Sequence, residues 1–254
     1  MDVRISCGQE AFSYTPRHTF PQDKGFATSM LDIVNVHPLP NTVFAGRAYQ
    51  LGNFMSKELM LSEFSEFCKA VYRQKKPVVH DEDNTASMYR DPVGWTIHRK
   101  RAWTALLTGA HYDFIDFSIV VGRPTSTGQS NREVRTWMKY LSEFIHGFDL
   151  VRAKPLEEWV SNIPANTVVS SFGVEGEDFA AYLADSREVT DASSGQPLQG
   201  KVALRLPAGA FNVRLYSPVT ASYSKVRRLE GGGSLDLEVP PFRHDVVIRA
   251  TRVR

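Results

Sequence analysis

Cysteine is nearly absent from this 254-residue chain: Cys7 and Cys68 are the two present. They are too few for a disulfide framework and do not have the spacing of a zinc finger. Cys68 falls on an apolar helical face and reads as a buried thiol. A charge excess is also missing, with 30 basic residues against 28 acidic ones and a net charge of +2. No bulk electrostatic attraction therefore draws the chain to nucleic acid or to a membrane surface. The densest basic run, His98 to Arg101, reads as a solvated helix face. No run reaches the roughly 18 to 20 apolar residues that span a bilayer. The opening residues MDVRISCGQE lack the apolar core of a signal peptide. There is no His-x-His or His-Glu-x-x-His pair, and no cofactor is expected.

What is present falls into two textures. Up to about Pro164, short apolar runs alternate with helical patterns. DVRIS (2–6), LDIVNVHPLP (31–40), PVVHDE (77–82) and YDFIDFSIVVG (112–122) read as strands. The middle two are nearly continuous in apolar residues, as strands of a parallel sheet buried on both faces are. Between them Met60, Phe64, Phe67 and Val71 recur at helical spacing, as do Trp103, Leu106, Leu107 and Ala110. A third helix is expected to start at Ser130, with Glu133 completing a capping box. It would bury Val134, Trp137, Met138, Leu141, Phe144, Ile145 and Phe148. Trp103 and Trp137 read as core anchors. Strand, helix, strand, helix predicts right-handed βαβ units. Gly8 to Met30, rich in glycine, proline and aromatics, reads as a long loop beside the strand ends.

After Ala165 the period becomes two. Phe179, Ala181, Leu183; Val202, Leu204, Leu206; Phe211, Val213, Leu215; Leu235, Leu237, Val239; and Val246, Ile248, Ala250 alternate with polar residues. SSGQP, PAG and EGGGS read as turns between them, with GGGS as a hairpin turn. The expectation is a partial (β/α) barrel over 1–164 and an antiparallel β-sandwich over 165–254.

In parallel α/β architectures chemistry gathers at the carboxyl ends of the strands. Here those ends carry Asn35 and His37; then His80, Asp81, Glu82 and Asp83; then Tyr112, Asp113 and Asp116. Four polar residues ending a buried strand are costly unless they face solvent or a site.

KPVVHDEDNT, followed by RKRAWTALLTGAHYDFIDFSI, is similar to the seventh and eighth strands of a (β/α)8-barrel glycoside hydrolase of the large retaining clan. DIVNVHPLP resembles the sixth strand and DVRIS the fifth. The tail ending LEVPPFRHDVVIRA resembles the small C-terminal β-domain of the apiosidase-like and putative collagen-binding-domain group. The resemblance implies that Glu82 is the nucleophile and that Asn35, His37, His80, Tyr112 and Asp113 line the sugar subsite. Strand alternation would put Glu82 on the face of His80, and a hydrogen bond from His80 or Tyr112 would keep it ionised. A retaining mechanism needs a second carboxyl group about 5 to 5.5 Å away. The family's acid/base follows an asparagine on an earlier strand, and no Asn-Glu pair occurs in this chain. Glu10 is the one carboxylate on the first strand's exit that would substitute. The chain thus reads as the C-terminal half of such a barrel, its acid/base lying upstream of Met1. The resemblance implies a carbohydrate substrate and a secreted or periplasmic full-length form. An open half barrel would also expose its edges to self-association.

Two other readings compete. His37, His80, Asp81, Asp83 and Asp113 are ligand types of a divalent-metal hydrolase. Alternatively, the chain is a non-catalytic carbohydrate binder or scaffold, with Tyr182, Tyr216, Tyr223 and Phe242 as glycan platforms.

Overall fold

The computed structural model describes residues 5–6, 33–36, 42–44, 47–51, 61–73, 75, 77–80, 83, 92–113 and 127–254. Contacts divide the chain into two compact units. One runs to Val134 and includes Glu188–Thr190; the other comprises Arg135–Arg187 and Asp191–Arg254.

In the first unit the four expected strands are present: β1 (Ile5–Ser6), β2 (Ile33–Val36), β5 (Val78–His80) and β6 (His111–Tyr112). They form one parallel sheet in the order β1-β2-β5-β6, the sequential order of a barrel segment. A short antiparallel hairpin, β3 (Thr42–Phe44) with β4 (Arg47–Tyr49), stands apart from it; the sequence reading did not anticipate it. Helix α1 (Leu61–Tyr72) buries Phe64, Phe67, Cys68 and Val71. This stripe packs with Tyr49, Leu51, Val78, Ala105 and Ala110. The loop expected over Gly8–Met30, and the fourth strand beyond Asp113 as far as residue 122, lie outside the described residues.

Helix α2 (Val93–Leu107) departs from expectation. Trp95, Ile97, Ala102, Trp103, Ala105 and Leu107 are buried, but so are His98, Arg99, Lys100 and Arg101. The basic run is not a solvated face, because the helix is enclosed on nearly every side. Arg101 tolerates this because Asp83 neutralises it and Phe64 lies beneath its guanidinium, 3.9 Å from the ring centroid.

Helix α3 (Gly128–Ile145) starts before the expected Ser130. Thr127 takes the cap: its Oγ1 accepts from the Ser130 N–H at 3.2 Å, and its own N–H donates to Ser130 Oγ at 2.9 Å. This is a reciprocal capping box shifted three residues upstream, with serine standing where glutamate is usual.

The second unit holds one antiparallel sheet. Its strands are β7 (Lys154–Pro155), β8 (Val160–Ser161), β9 (Thr167–Val174), β10 (Asp178–Asp185), β11 (Leu198–Ser217), β12 (Ser222–Tyr223), β13 (Arg227–Phe242) and β14 (Asp245–Arg252). The order is β12-β11-β14-β10-β9-β7, with β8 and β13 both paired to β11. Inward residues of the predicted alternation meet in one apolar cluster: Phe179, Ala181, Leu183, Val202, Leu204, Phe211, Val213, Leu237, Val246 and Ile248, joined by Trp159. The opposite face of β10 and β14 is buried too, at Ala180, Tyr182 and Val247. On its other side, Phe144 packs against Tyr216 at 4.8 Å and Phe148 against Phe172 at 5.7 Å.

Two expected turns are strand instead. Pro207–Gly209 and Gly231–Ser234 lie within the paired β11 and β13, where the register shifts between Leu206 and Gly209. The two backbones approach so closely that a Cβ on Gly231 would run into the Pro207 carbonyl oxygen. Glycine is needed there to let the bulge form, not to turn the chain.

Candidate functional site

Val36, His80 and Tyr112 sit side by side in the parallel ladder, so β2, β5 and β6 leave the sheet in register. The next residues along the chain are His37, Asp81 and Glu82, and Asp113. His37, Asp81, Glu82, Asp116 and Glu10 lie outside the described residues, as does the side chain of Asn35, whose backbone pairs with Val79.

His80 presents no surface to a ligand. It is 0% exposed, with its ring 5.2 Å from Phe64 and 5.6 Å from Phe67, both on α1. Its Nε2 meets Cys68 Sγ at 3.2 Å. Burial lowers the imidazole to about 3 and pushes the thiol up to about 12, so the pair is neutral and the thiol is no nucleophile. His80 Nδ1 finds no partner among the described residues. This histidine is therefore part of the layer between sheet and helix, where the sequence reading placed it in the sugar subsite.

Asp83 is fixed by three hydrogen bonds. Its Oδ2 accepts from Arg101 Nε of α2 and from the Tyr112 hydroxyl of β6 at 3.1 Å, while its N–H donates to the Asp113 carbonyl at 3.4 Å. Arg101 also donates through Nη2 to the Leu51 carbonyl at 2.9 Å. His98 Nδ1 stands 3.4 Å from the Tyr112 hydroxyl. Asp113 donates its N–H to the His80 carbonyl at 2.8 Å and is itself exposed.

The described part of the strand ends at His80, and both His80 and Asp83 are buried; the face taken by Glu82 lies outside the described residues. Tyr112, expected to support Glu82, has a hydroxyl bound to Asp83. Of the metal ligands considered, Asp83 is likewise held by Arg101 and Tyr112. The sequence reading missed Arg101 and His98 as parts of this network; the available signal was their position on a helix whose other residues are apolar on several faces.

Among the glycan-platform candidates, Tyr182 is sealed and donates its hydroxyl to Asp245 at 2.9 Å, and Tyr216 is buried, with its hydroxyl pushed up to about 12. Tyr223 keeps 37% exposure but lies between Tyr216 and the Arg214 guanidinium. Phe242 is half-buried.

No family model and no curated protein sequence matches the chain. Solved structures do. One described as a glycoside hydrolase superposes with a TM-score of 0.59 at 13% identity, over 89% of this chain and 55% of its own. The fold is shared with glycoside hydrolases. A family 5 glycoside hydrolase from Bacteroides vulgatus gives 0.52 at 16% identity, over 75% of this chain and 46% of its own. A family 30 endoxylanase from Clostridium papyrosolvens gives 0.51 at 10% identity, over 93% and 52%. The chain thus spans about half the length of these proteins, and its four-stranded parallel sheet corresponds to part of their barrel.

Proposed function

We propose that this chain is the C-terminal half of a retaining glycoside hydrolase barrel, over 1–164, followed by a β-sandwich over 165–254, as in the apiosidase-like and putative collagen-binding-domain group. Glu82 is the nucleophile in this reading. The observation that carries it is the register of the three strand ends, with Glu82 one residue before the anchored Asp83 and two after the anchored His80. A glutamate bracketed in sequence by two anchored residues suits the positional demand of attack on an anomeric carbon.

Glu82 attacks that carbon as the glycosidic oxygen leaves, giving a glycosyl ester that water then cleaves with inversion at each step. Asn35, His37, Tyr112 and Asp113 are the sugar-binding positions, and His80 stands behind them as a support. The acid/base comes from outside the four strands described, so the reading concerns a poly- or oligosaccharide hydrolase whose activity is completed by further barrel strands.

A 2-deoxy-2-fluoroglycoside with a dinitrophenolate leaving group tests this, because such a leaving group departs without an acid. Peptide mass spectrometry is expected to find the label on Glu82 and no label in Glu82→Gln. Labelling at any other carboxylate overturns the assignment.

A further inference from the structure

The C-terminal unit contains a cavity of about 860 Å³ bounded by Lys154–Trp159, by Arg205–Ala208 of β11 and by Gly232–Ser234 of β13. That volume falls in the range of small-molecule sites, roughly 300 to 1,000 Å³. Trp159 forms part of its wall, 4% exposed and packed on Phe179 with ring centroids 5.2 Å apart. The buried indole N–H of Trp159 has no acceptor among the described residues. An isolated buried donor is unfavourable, and a hydroxyl or water held in the adjoining cavity would relieve it.

The walls carry charge of both signs. Lys154 and Glu175 pair at 3.1 Å. The side chains of Glu158 and Arg205 make no ion pair among the described residues, although the Arg205 backbone is fixed by its N–H donating to the Trp159 carbonyl at 2.7 Å. Glu158 holds a left-handed backbone, φ 76°, which a non-glycine residue adopts at a cost. On the opposite rim Gly233 has open space where a Cβ would stand, leaving its backbone accessible to a ligand.

These features select for one kind of ligand. Three carboxylates, Glu157, Glu158 and Glu175, against Lys154 and Arg205 disfavour an anion, while hydroxyl groups donate to the carboxylates and accept from the guanidinium and the indole. The apolar surface left open by Pro155, Pro207 and Ala208 suits the C–H face of a pyranose ring. We infer that this cavity is a saccharide-binding site formed wholly by the C-terminal unit, taking a neutral oligosaccharide. The inference rests on the proposed hydrolase function only in choosing saccharides among neutral polyols.

The test follows the Trp159 indole ¹H–¹⁵N resonance of the full chain during titration with neutral hexasaccharides of glucose, xylose and mannose, and with an oligogalacturonate. At least one neutral hexasaccharide is expected to move that resonance saturably. Glu158→Gln and Arg205→Ala are each expected to weaken this binding about tenfold, while Glu82→Gln leaves it unchanged. A Trp159 resonance that no neutral hexasaccharide moves overturns the inference, as does wild-type affinity in both cavity variants or a preference for the acidic oligomer. None of these outcomes bears on which carboxylate a fluoroglycoside labels. Conversely, labelling away from Glu82 leaves the cavity result standing.

Discussion

In the N-terminal unit His80, Cys68, Asp83 and Arg101 are all sealed at 1% exposure or less, whereas one ion pair between strands of the C-terminal unit, Arg249 with Asp178, keeps 13% and 17% of its side chains exposed. The C-terminal core is an apolar cluster, and its own buried ion pair, Asp185 with Arg187 at 0% and 8% exposure, joins residues two apart in sequence, whereas Asp83 and Arg101 are 18 apart. Taking two charges fully out of water is costly, and their attraction repays this only when every remaining hydrogen bond is made. The sealed network therefore contributes placement more than stability: it holds the chain on either side of Glu82. The C-terminal unit draws its stability from burying alternate side chains and can lose a rim contact with less consequence.

The largest expected break in this contrast is Arg101→Met. It keeps an apolar stem near Phe64 but strands the Asp83 carboxylate, and breaking a buried pair this way costs about 3 to 5 kcal/mol. Urea unfolding followed by tryptophan fluorescence should show that loss in the transition of the N-terminal unit. Adding Asp83→Asn should recover part of it. A loss below about 1 kcal/mol would mean that the pair is solvated and the contrast false.

The next effect is a pH dependence confined to the same network. The folded protein holds His80 at about 3 against an ordinary value of 6.5, so between those limits the unfolded chain binds the extra proton. Stability is then full above about pH 6.5 and falls as pH drops toward 3, with a slope of up to about 1.4 kcal/mol per unit. Replacing His80 with leucine should flatten the profile over that window. An equal slope in wild type and His80→Leu would sink the assignment.

How much of this was legible beforehand depended on whether a pattern is local. The four parallel strands and the alternation of Val202, Leu204 and Leu206 are written in periods of a few residues. So is the stripe of Phe64, Phe67 and Val71. The candidate site was legible only as positions: that Asn35, His80 and Tyr112 lie near one edge follows from strand lengths. That His80 turns toward Phe64 and Cys68, and that Arg101 is buried against Asp83, depends on contacts between residues 12 and 18 apart. Gly231 was misread for the same reason. A glycine that opens a turn and one that admits a neighbouring backbone look alike until the strand opposite is known.

Arg249→Ala probes the rim of the C-terminal unit. Arg249 donates to both carboxylate oxygens of Asp178, at 3.1 and 2.7 Å, and to the Gly147 carbonyl at 2.9 Å, with its guanidinium 4.2 Å from the Phe148 ring. Several charge-assisted bonds are lost together, yet the groups left behind reach water, so the expected cost is about 2 kcal/mol. Arg249→Lys should recover less than half, since an ammonium cannot reproduce the planar fork. A cost matching that of Arg101→Met would erase the distinction between sealed and rim pairs.

The smallest effect is expected at helix α3, whose first turn belongs to the N-terminal unit and whose last turn belongs to the other. Thr127→Ala removes the oxygen that accepts the Ser130 N–H, and losing an N-cap costs about 1 kcal/mol. Thr127→Ser keeps that oxygen and should be near neutral. Ser130→Ala removes a buried hydroxyl that accepts the return bond from the Thr127 N–H and donates to the Thr127 carbonyl at 2.9 Å, and should cost a similar amount. Thermal melts of these three variants and of Glu133→Ala decide the matter: if Glu133→Ala rather than Thr127→Ala lowers the transition, the helix is capped at Ser130, as the sequence pattern alone suggests.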